Sequence, residues 1–516
     1  MLASGTLSVS GIDNVIGTTA STDALRLITA GDDVSVSAID TVIGTGAGGA
    51  DVVTMLADNT LSVSALDSVI GSGGNDAVRM IGGGTLNVDL IDTVIGGTST
   101  TDVVQLASTT TLSVSNVETV QGTTDTTDAV RMLSAGTLAT SAVDSVTGTS
   151  GNADILELDG SGGAAVSVSA METVRGSGAT DTVTLLASGG IAVSNVETVV
   201  GTAGADSVVY QSGGTVAVSA IETVTGTTGT SDVAAIMATE ATTLSVSGIE
   251  SVLGTTGQTE FVRMMQTGNL GASNVETVVG SASAGDVVRL LGVGNLTVSG
   301  VETAIGSTGN SDALTLLNSG VAVSAFESVT GTGGADTVTM LGTALSVSGV
   351  ETVLGSSGVD TLNYLANGTV AVSGVEVVVG LTSAGDVTRM LSAGAVSASE
   401  IESVIGTTGT DTLTLVGSGV SASVSAIETV IATAAGGDSV KMLVSGTLGV
   451  SAVETVIGTF DTDTARMLAS GATTLSVSNI ETVLGTSAHA DAVEMLSGTS
   501  LQVSNVETVV GSTGTT

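Results

Sequence analysis

The feature that most constrains this chain is an eight-residue beat: Ser, any residue, an apolar residue, an acid, Thr or Ser, Val, any residue, Gly. It reads SNVETVQG from Ser115 to Gly122. It recurs twenty times, a few copies carrying one substitution. Its acid falls at Asp13, Asp40, Asp67, Asp92, Glu118, Asp144, Glu172, Glu197, Glu222, Glu250, Glu276, Glu302, Glu327, Glu351, Glu376, Glu402, Glu428, Glu454, Glu481 and Glu507. The first and last stand 494 residues apart in 19 steps, a mean of 26, with single steps of 24 to 28. Self-similarity at such a period marks a solenoid or array, in which each unit buries its apolar face only against its neighbours.

One repeat, TLSVSNVETVQGTTDTTDAVRMLSAG from Thr111 to Gly136, shows what is stacked. Thr111 to Ser115 alternates small polar with apolar residues, the period of a strand with one buried face. Val117 and Val120 are three apart, which breaks plain alternation and predicts a bend or bulge beside a second short strand. Gly122 opens a polar turn that ends at Asp128, and Ala129 to Leu133 forms a third strand. Val, Thr, Ser and Gly dominate and no 3.6-residue period is sustained, so a helix is disfavoured. The expectation is an all-β, parallel β-solenoid (β-helix or β-roll-like) of about 20 coils, with about 26 residues and three short strands per coil. Each strand would then lie on its own copies, with apolar ladders such as Val120, Val146, Val174 and Val199.

Composition agrees. Proline is absent from all 516 residues, as expected where every interior strand is paired on both sides. Cysteine is absent too, which excludes disulfides and thiolate metal sites without identifying a compartment. Fifty acids against nine basic residues give a net charge of −41, which argues against nucleic acid and anionic membrane surfaces and for cations as partners. No apolar run reaches membrane-spanning length, and the N-terminus shows neither the basic nor the apolar region of a secretory signal. Met1-Leu2 aligns with Met132-Leu133 and Met390-Leu391. Residues 1–516 therefore read as one continuous array without evident capping repeats, expected to belong to a longer chain or to a filament unit.

Most of the acids occupy two fixed places. The second follows the first by 9 to 11 residues: Asp23, Asp51, Asp76, Asp102, Asp128, Asp154, Asp181, Asp206, Asp232, Glu260, Asp286, Asp312, Asp336, Asp360, Asp386, Asp411, Asp438, Asp463 and Asp491. Coils stacked in register would set these carboxylates one rung apart, about 4.8 Å. Such a ladder needs hydrogen bonds, cations or splay to be tolerable. Eight of the nine basic residues (Arg26, Arg79, Arg131, Arg263, Arg289, Arg389, Lys441 and Arg466) lie three residues after the second acid, in a slot that must face solvent. Arg175 is the exception.

In its clearest copies the second acid closes Gly-(Thr/Ser)-x-Gly-x-Asp, as in Gly201-Thr202-Ala203-Gly204-Ala205-Asp206, Gly331 to Asp336, Gly355 to Asp360 and Gly406 to Asp411. This resembles the glycine- and aspartate-rich nonapeptide of RTX proteins. About ten residues of every 26, such as Val196 to Asp206, resemble in this way secreted bacterial β-strand repeat proteins of the surface-layer and large-adhesin kind. The resemblance implies Ca²⁺ held between successive coils by turn carbonyls and the nineteen second acids, and folding on export. Here Thr or Ser replaces the second Gly, and the motif occurs once per repeat, not in tandem. Two readings stand side by side: a calcium ladder, or Asp-type turns whose carboxylates accept backbone N–H groups. The first acid reads as an outward strand residue, and the Ser three positions before it as a corner residue bonding the backbone.

Catalysis needs a unique constellation, and uniqueness is what this sequence lacks. Its one histidine, His489, sits in an ordinary turn, and five scattered aromatic residues make no sugar platform. The expected function is non-catalytic: a structural rod or filament of an extracellular layer or matrix, with Ca²⁺ as candidate stabiliser. The expected partners are divalent cations and further copies, end to end or side by side. A stalk or binding region of a large adhesin is the alternative, and an ice-binding solenoid a remote one. The extracellular or cell-surface placement rests on the resemblance and on the acidic, repetitive make-up.

Overall fold

The alternation read from the sequence does set the strands. In the computed structural model Thr111–Ser115, Thr119–Gln121 and Ala129–Met132 are the three strands of one repeat, and Thr137–Ser141, Ser145–Thr147 and Ile155–Leu158 those of the next. Leu112, Val114, Val120, Val130 and Met132 point inward and are buried, while Ser113 and Arg131 point out. The structure describes all residues except 20, 21, 47, 126, 152, 161, 230, 238–241, 310, 319, 384, 434, 435, 469–472, 499 and 513–516. Among the described residues every regular element is a strand, and no helix is long and apolar enough to cross a membrane.

The chain is a parallel β-solenoid, but its turn is not its repeat. Thr111 pairs with Ala129, Ala129 with Ser145, and Thr119 with Ala139, offsets of 18, 16 and 20 residues. Each strand therefore lies beside the next but one, two strands make a turn, and a three-strand repeat makes a turn and a half. The expected 20 coils of 26 residues and three strands are thus replaced by about 27 turns of roughly 18 residues with two strands each. The residues form two compact units, Met1–Glu260 and Phe261–Thr516. In each, two parallel sheets face one another across a core of Val, Leu, Ile and Met. Strands cycle through each sheet in the order first, third, second.

The expected ladders of identical residues do not form. Val120 and Val174 lie in one sheet, Val146 and Val199 in the other, and Val146 is flanked by Val130 and Val168. The core tolerates this because nearly every inward slot holds an apolar residue, most often Val, Leu, Ile or Met, so a strand can stack on any of the three types. Burying each such side chain contributes about 1.5–3 kcal/mol.

The physical cause of the two-strand turn is the corner after the first strand. The residue following the Ser of the beat (Asp89 in one copy) has a left-handed backbone in all twenty repeats, with φ between 51° and 65°. Gly fills this position in five copies (Gly11, Gly248, Gly300, Gly349 and Gly374), and Asn, Ala, Leu90 or Glu400 in the others. A non-glycine residue accepts roughly 1–2 kcal/mol of strain there. The predicted bend is this corner: the chain reverses at Asn116, so that Val117 and Val120, three apart, both reach the core.

Candidate functional site

The turns that end at a second acid share a polar construction, and Asp206 shows it fully. Its side chain is 2 % exposed. Oδ2 accepts the Thr202 N–H at 2.6 Å and the Thr202 hydroxyl at 2.7 Å; Oδ1 accepts the Gly189 N–H, one turn earlier, at 2.8 Å. One turn later, Glu222 Oε2 accepts the Asp206 N–H at 2.7 Å, and the Asp206 carbonyl accepts the N–H groups of Glu222 and Thr223. One aspartate thus ties three successive turns together along an edge. Its neighbours in the motif exist for this. A Cβ on Gly201 would lie 1.9 Å from the Ala220 carbonyl oxygen and 2.9 Å from Asp206 Oδ2, so only glycine lets the next corner settle on this turn. Thr202 supplies both its donors to one carboxylate oxygen.

The predicted acids all take part, in an arrangement other than the predicted one. Second acids do not stack on one another. Successive copies alternate between the two edges, because a repeat is a turn and a half, and same-edge copies stand three turns, about 14 Å, apart. The first acid, read from sequence as an outward strand residue, instead caps the second acid of the preceding repeat. Asp23 N–H donates to Asp40, Asp102 to Glu118, Asp154 to Glu172, Asp336 to Glu351 and Asp491 to Glu507, at 2.7 to 2.9 Å. Asp51, Asp76, Asp128, Asp181 and Asp232 are built in the same way in the first unit. So are Asp286, Asp312, Asp360, Asp386, Asp411, Asp438 and Asp463 in the second. Glu260 reaches the Thr255 N–H and hydroxyl with its longer side chain. The Ser of the beat meets another hydroxyl, Ser115 with Ser134 at 3.1 Å, and its own carbonyl accepts the N–H of the earlier glycine.

Burial pushes the Asp51, Asp206 and Asp491 carboxyls up, but their N–H and hydroxyl bonds outweigh it and hold all three below the ordinary aspartate value. The nearby His489 adds to this at Asp491. Asp23 is lowered as well, chiefly by Thr18.

The second acids, which the resemblance makes calcium ligands, here accept N–H and hydroxyl groups of their own turn, and same-edge copies stand three turns apart. Among the described residues no three acids or histidines converge.

The tie is not complete everywhere: Oδ1 of Asp23, Asp102, Asp232, Asp336 and Asp491 has no hydrogen-bond partner among the described residues, so these turns lack the bond to the turn before. At Ala432, where the beat has its glycine, the strand Thr429–Ala432 runs one residue long. The Thr433 hydroxyl turns to the Gly417 carbonyl, and Asp438 Oδ2 has no hydrogen-bond partner among the described residues. Shallow notches of 160 Å³ beside Asn116, Glu118 and Ser134, and of 110 Å³ beside Gly374, Glu376 and Ser392, occupy equivalent places in two repeats. They are a repeated notch and not a unique cleft. Comparison with protein-family models, with curated proteins and with solved structures gives no match.

Proposed function

We propose that this chain is a non-catalytic structural segment of an extracellular layer, matrix or filament. The observation that carries the reading is the aspartate tie itself. Most of the acids serve one construction, repeated along the array, and among the described residues no position is set apart for a reacting group or a single small ligand. Continuous parallel ladders and a tie across three turns resist unwinding, which is what a load-bearing segment needs. Divalent cations enter this reading as bridges between the half-exposed first acids of different molecules, not at the centre of the turns.

The test is circular dichroism and calorimetric titration of the metal-stripped protein. The expected result is a β-spectrum without Ca²⁺, and weak, multiple uptake of the ion on titration. A chain that is unfolded when stripped, and that folds with about one ion per turn, would replace the tie by a cation ladder. Turnover confined to one stretch of the array would overturn the non-catalytic reading.

A further inference from the structure

The acids leave one surface bare. In the unit Met1–Glu260, the sheet that holds Thr6–Val9, Ala24–Leu27, Ala77–Met80 and Ala129–Met132 has no Asp or Glu in any of its described strands. Its outer face instead presents Arg26, Arg79 and Arg131, all exposed and three strands apart, with Thr184 and Ala235 in the same slot further along. In a chain of 50 acids, the only ion pair among the described residues is Arg175 with Glu157, so these three guanidinium groups have no ion-pair partner among those residues.

The same unit has an edge of complementary make-up. The residue just after the third strand is a half-exposed large apolar side chain: Ile28, Ile81, Leu133, Leu186 and Met237 on one edge, exposed by 61, 52, 47, 55 and 42 %. On the opposite edge this row is broken, with Ala107, Asp159 and Gln211 following Leu56. On the continuous edge each apolar residue lies one turn after a corner acid, as Ile81 follows Asp67 and Leu133 follows Glu118.

Both surfaces repeat every three turns, about 14 Å, and in matching order. Along the face, Ser62 is followed by Arg79 and then Ile95, each paired with the next. Along the edge, a corner acid is followed by an apolar residue and then by a polar turn. Set parallel with a shift of one turn, arginine meets acid, isoleucine meets leucine or isoleucine, and serine meets the polar turn. Set antiparallel, serine meets leucine. A partner with this pitch meets the face over the stretch from Arg26 to Arg131, where Thr147 takes the last isoleucine position.

We propose that the arginine face of one copy docks on the acid-and-leucine edge of a second copy of this chain, the two running in the same direction. This rests on the structural reading above and gives it a lateral contact. The contact joins two different surfaces, so it does not close on itself and copies continue to add. The net charge of −41 opposes approach at low salt. At about 0.15 M salt that long-range term is screened beyond roughly 8 Å, while contact pairs persist.

The experiment is sedimentation velocity of the full chain in 0.15 M-range salt, with and without EDTA, up to about 1 mM protein. It compares the wild type, a face variant (Arg26→Glu, Arg79→Glu, Arg131→Glu) and an edge variant (Ile81→Ser, Leu133→Ser, Leu186→Ser), with circular dichroism confirming their folds. The expected result is growing oligomers of the wild type in EDTA, about tenfold or more weaker association of each variant alone, and a mixture of the two variants that stops at dimers. Wild-type assembly that both variants share, or that vanishes in EDTA, overturns this docking and leaves the structural reading standing. A wild type that stays monomeric with and without Ca²⁺ overturns both.

Discussion

Arg175 donates from Nη1 to Glu157 Oε1 across 2.8 Å, and the two sit on neighbouring strands of one sheet although they are 18 positions apart in a chain that repeats every 26. Arg175 is the one basic residue outside the common slot, and Glu157 is an acid inside it. Each is an exception whose partner is the other. Gln105 and Gln121 repeat the relationship at an offset of 16, their side-chain amides 2.5 Å apart. Together they report which strand lies on which.

That register can be trapped chemically, since the chain has no cysteine of its own. Neighbouring parallel strands lie about 4.8 Å apart, within the reach of a disulfide. Gln105→Cys with Gln121→Cys should oxidise readily to a closed, fully folded monomer, seen by thiol titration and mass measurement. Gln105→Cys with Arg131→Cys, one sequence repeat apart but in opposite sheets, should keep both thiols.

Glycine in the beat is held there by the neighbouring turn. Gly201→Ala would push the Ala220 carbonyl and Asp206 apart and should cost about 1–3 kcal/mol in a urea melt. The reverse experiment already stands in the chain at Ala432. Ala432→Gly should free Thr433 to turn back toward Asp438 and stabilise the second unit by about 1 kcal/mol, the net worth of a recovered hydrogen bond. A melt unchanged or worsened by Ala432→Gly would show that the lost tie has another cause.

Acid should loosen the ties. The Asp51, Asp206 and Asp491 carboxyls sit below the ordinary value of 3.8 in the folded chain, so the unfolded chain takes up its protons first as pH falls. The stability they contribute is complete above that value and is lost as pH drops through the lowered ones. Asp206→Asn should cost about 1–3 kcal/mol at neutral pH, because an amide nitrogen faces N–H donors. It should also make the decline below pH 3.8 shallower. An acid titration of stability with the same slope in both proteins would refute the assignment.

In the core of the second unit, the Tyr364 hydroxyl lies 2.9 Å from Thr388 Oγ1, and Thr388 is a buried polar residue where other repeats place an apolar one. Tyr364→Phe and Thr388→Val should each destabilise, and the double variant should recover part of the loss, a coupling of about 0.5–1.5 kcal/mol. Burial pushes the Tyr364 phenol well above its ordinary value of 10.0, so stability should fall as pH rises past that value. Tyr364→Phe should blunt that alkaline fall.

The strands were legible because alternation is local. Thr111 to Ser115 states which side chains turn inward whatever lies next to them. The absence of proline, and the recurrence of Gly122 and Asp128 at fixed distances, likewise announced a stacked array with a polar turn at a set place. The ties were only half legible. Asp206 could be read as a turn residue from Gly201 and Thr202 beside it, but Glu222 could not be read as its cap. That contact joins two repeats, and its only trace in the sequence was the handful of exceptions paired 16 to 18 residues apart.

By itself, then, the sequence determined an all-β solenoid of short strands, with apolar residues inside, hydroxyls outside and acids at the corners, because each of these follows from residues within one repeat. The tertiary structure decided the number of strands in a turn. That number depends on how far the chain swings at each corner, and the left-handed residue at Asn116 and its equivalents reverses it fully. Two strands close a turn while three make a repeat. Every edge therefore brings together corners of different kinds, and an acid meets a backbone N–H in place of another acid.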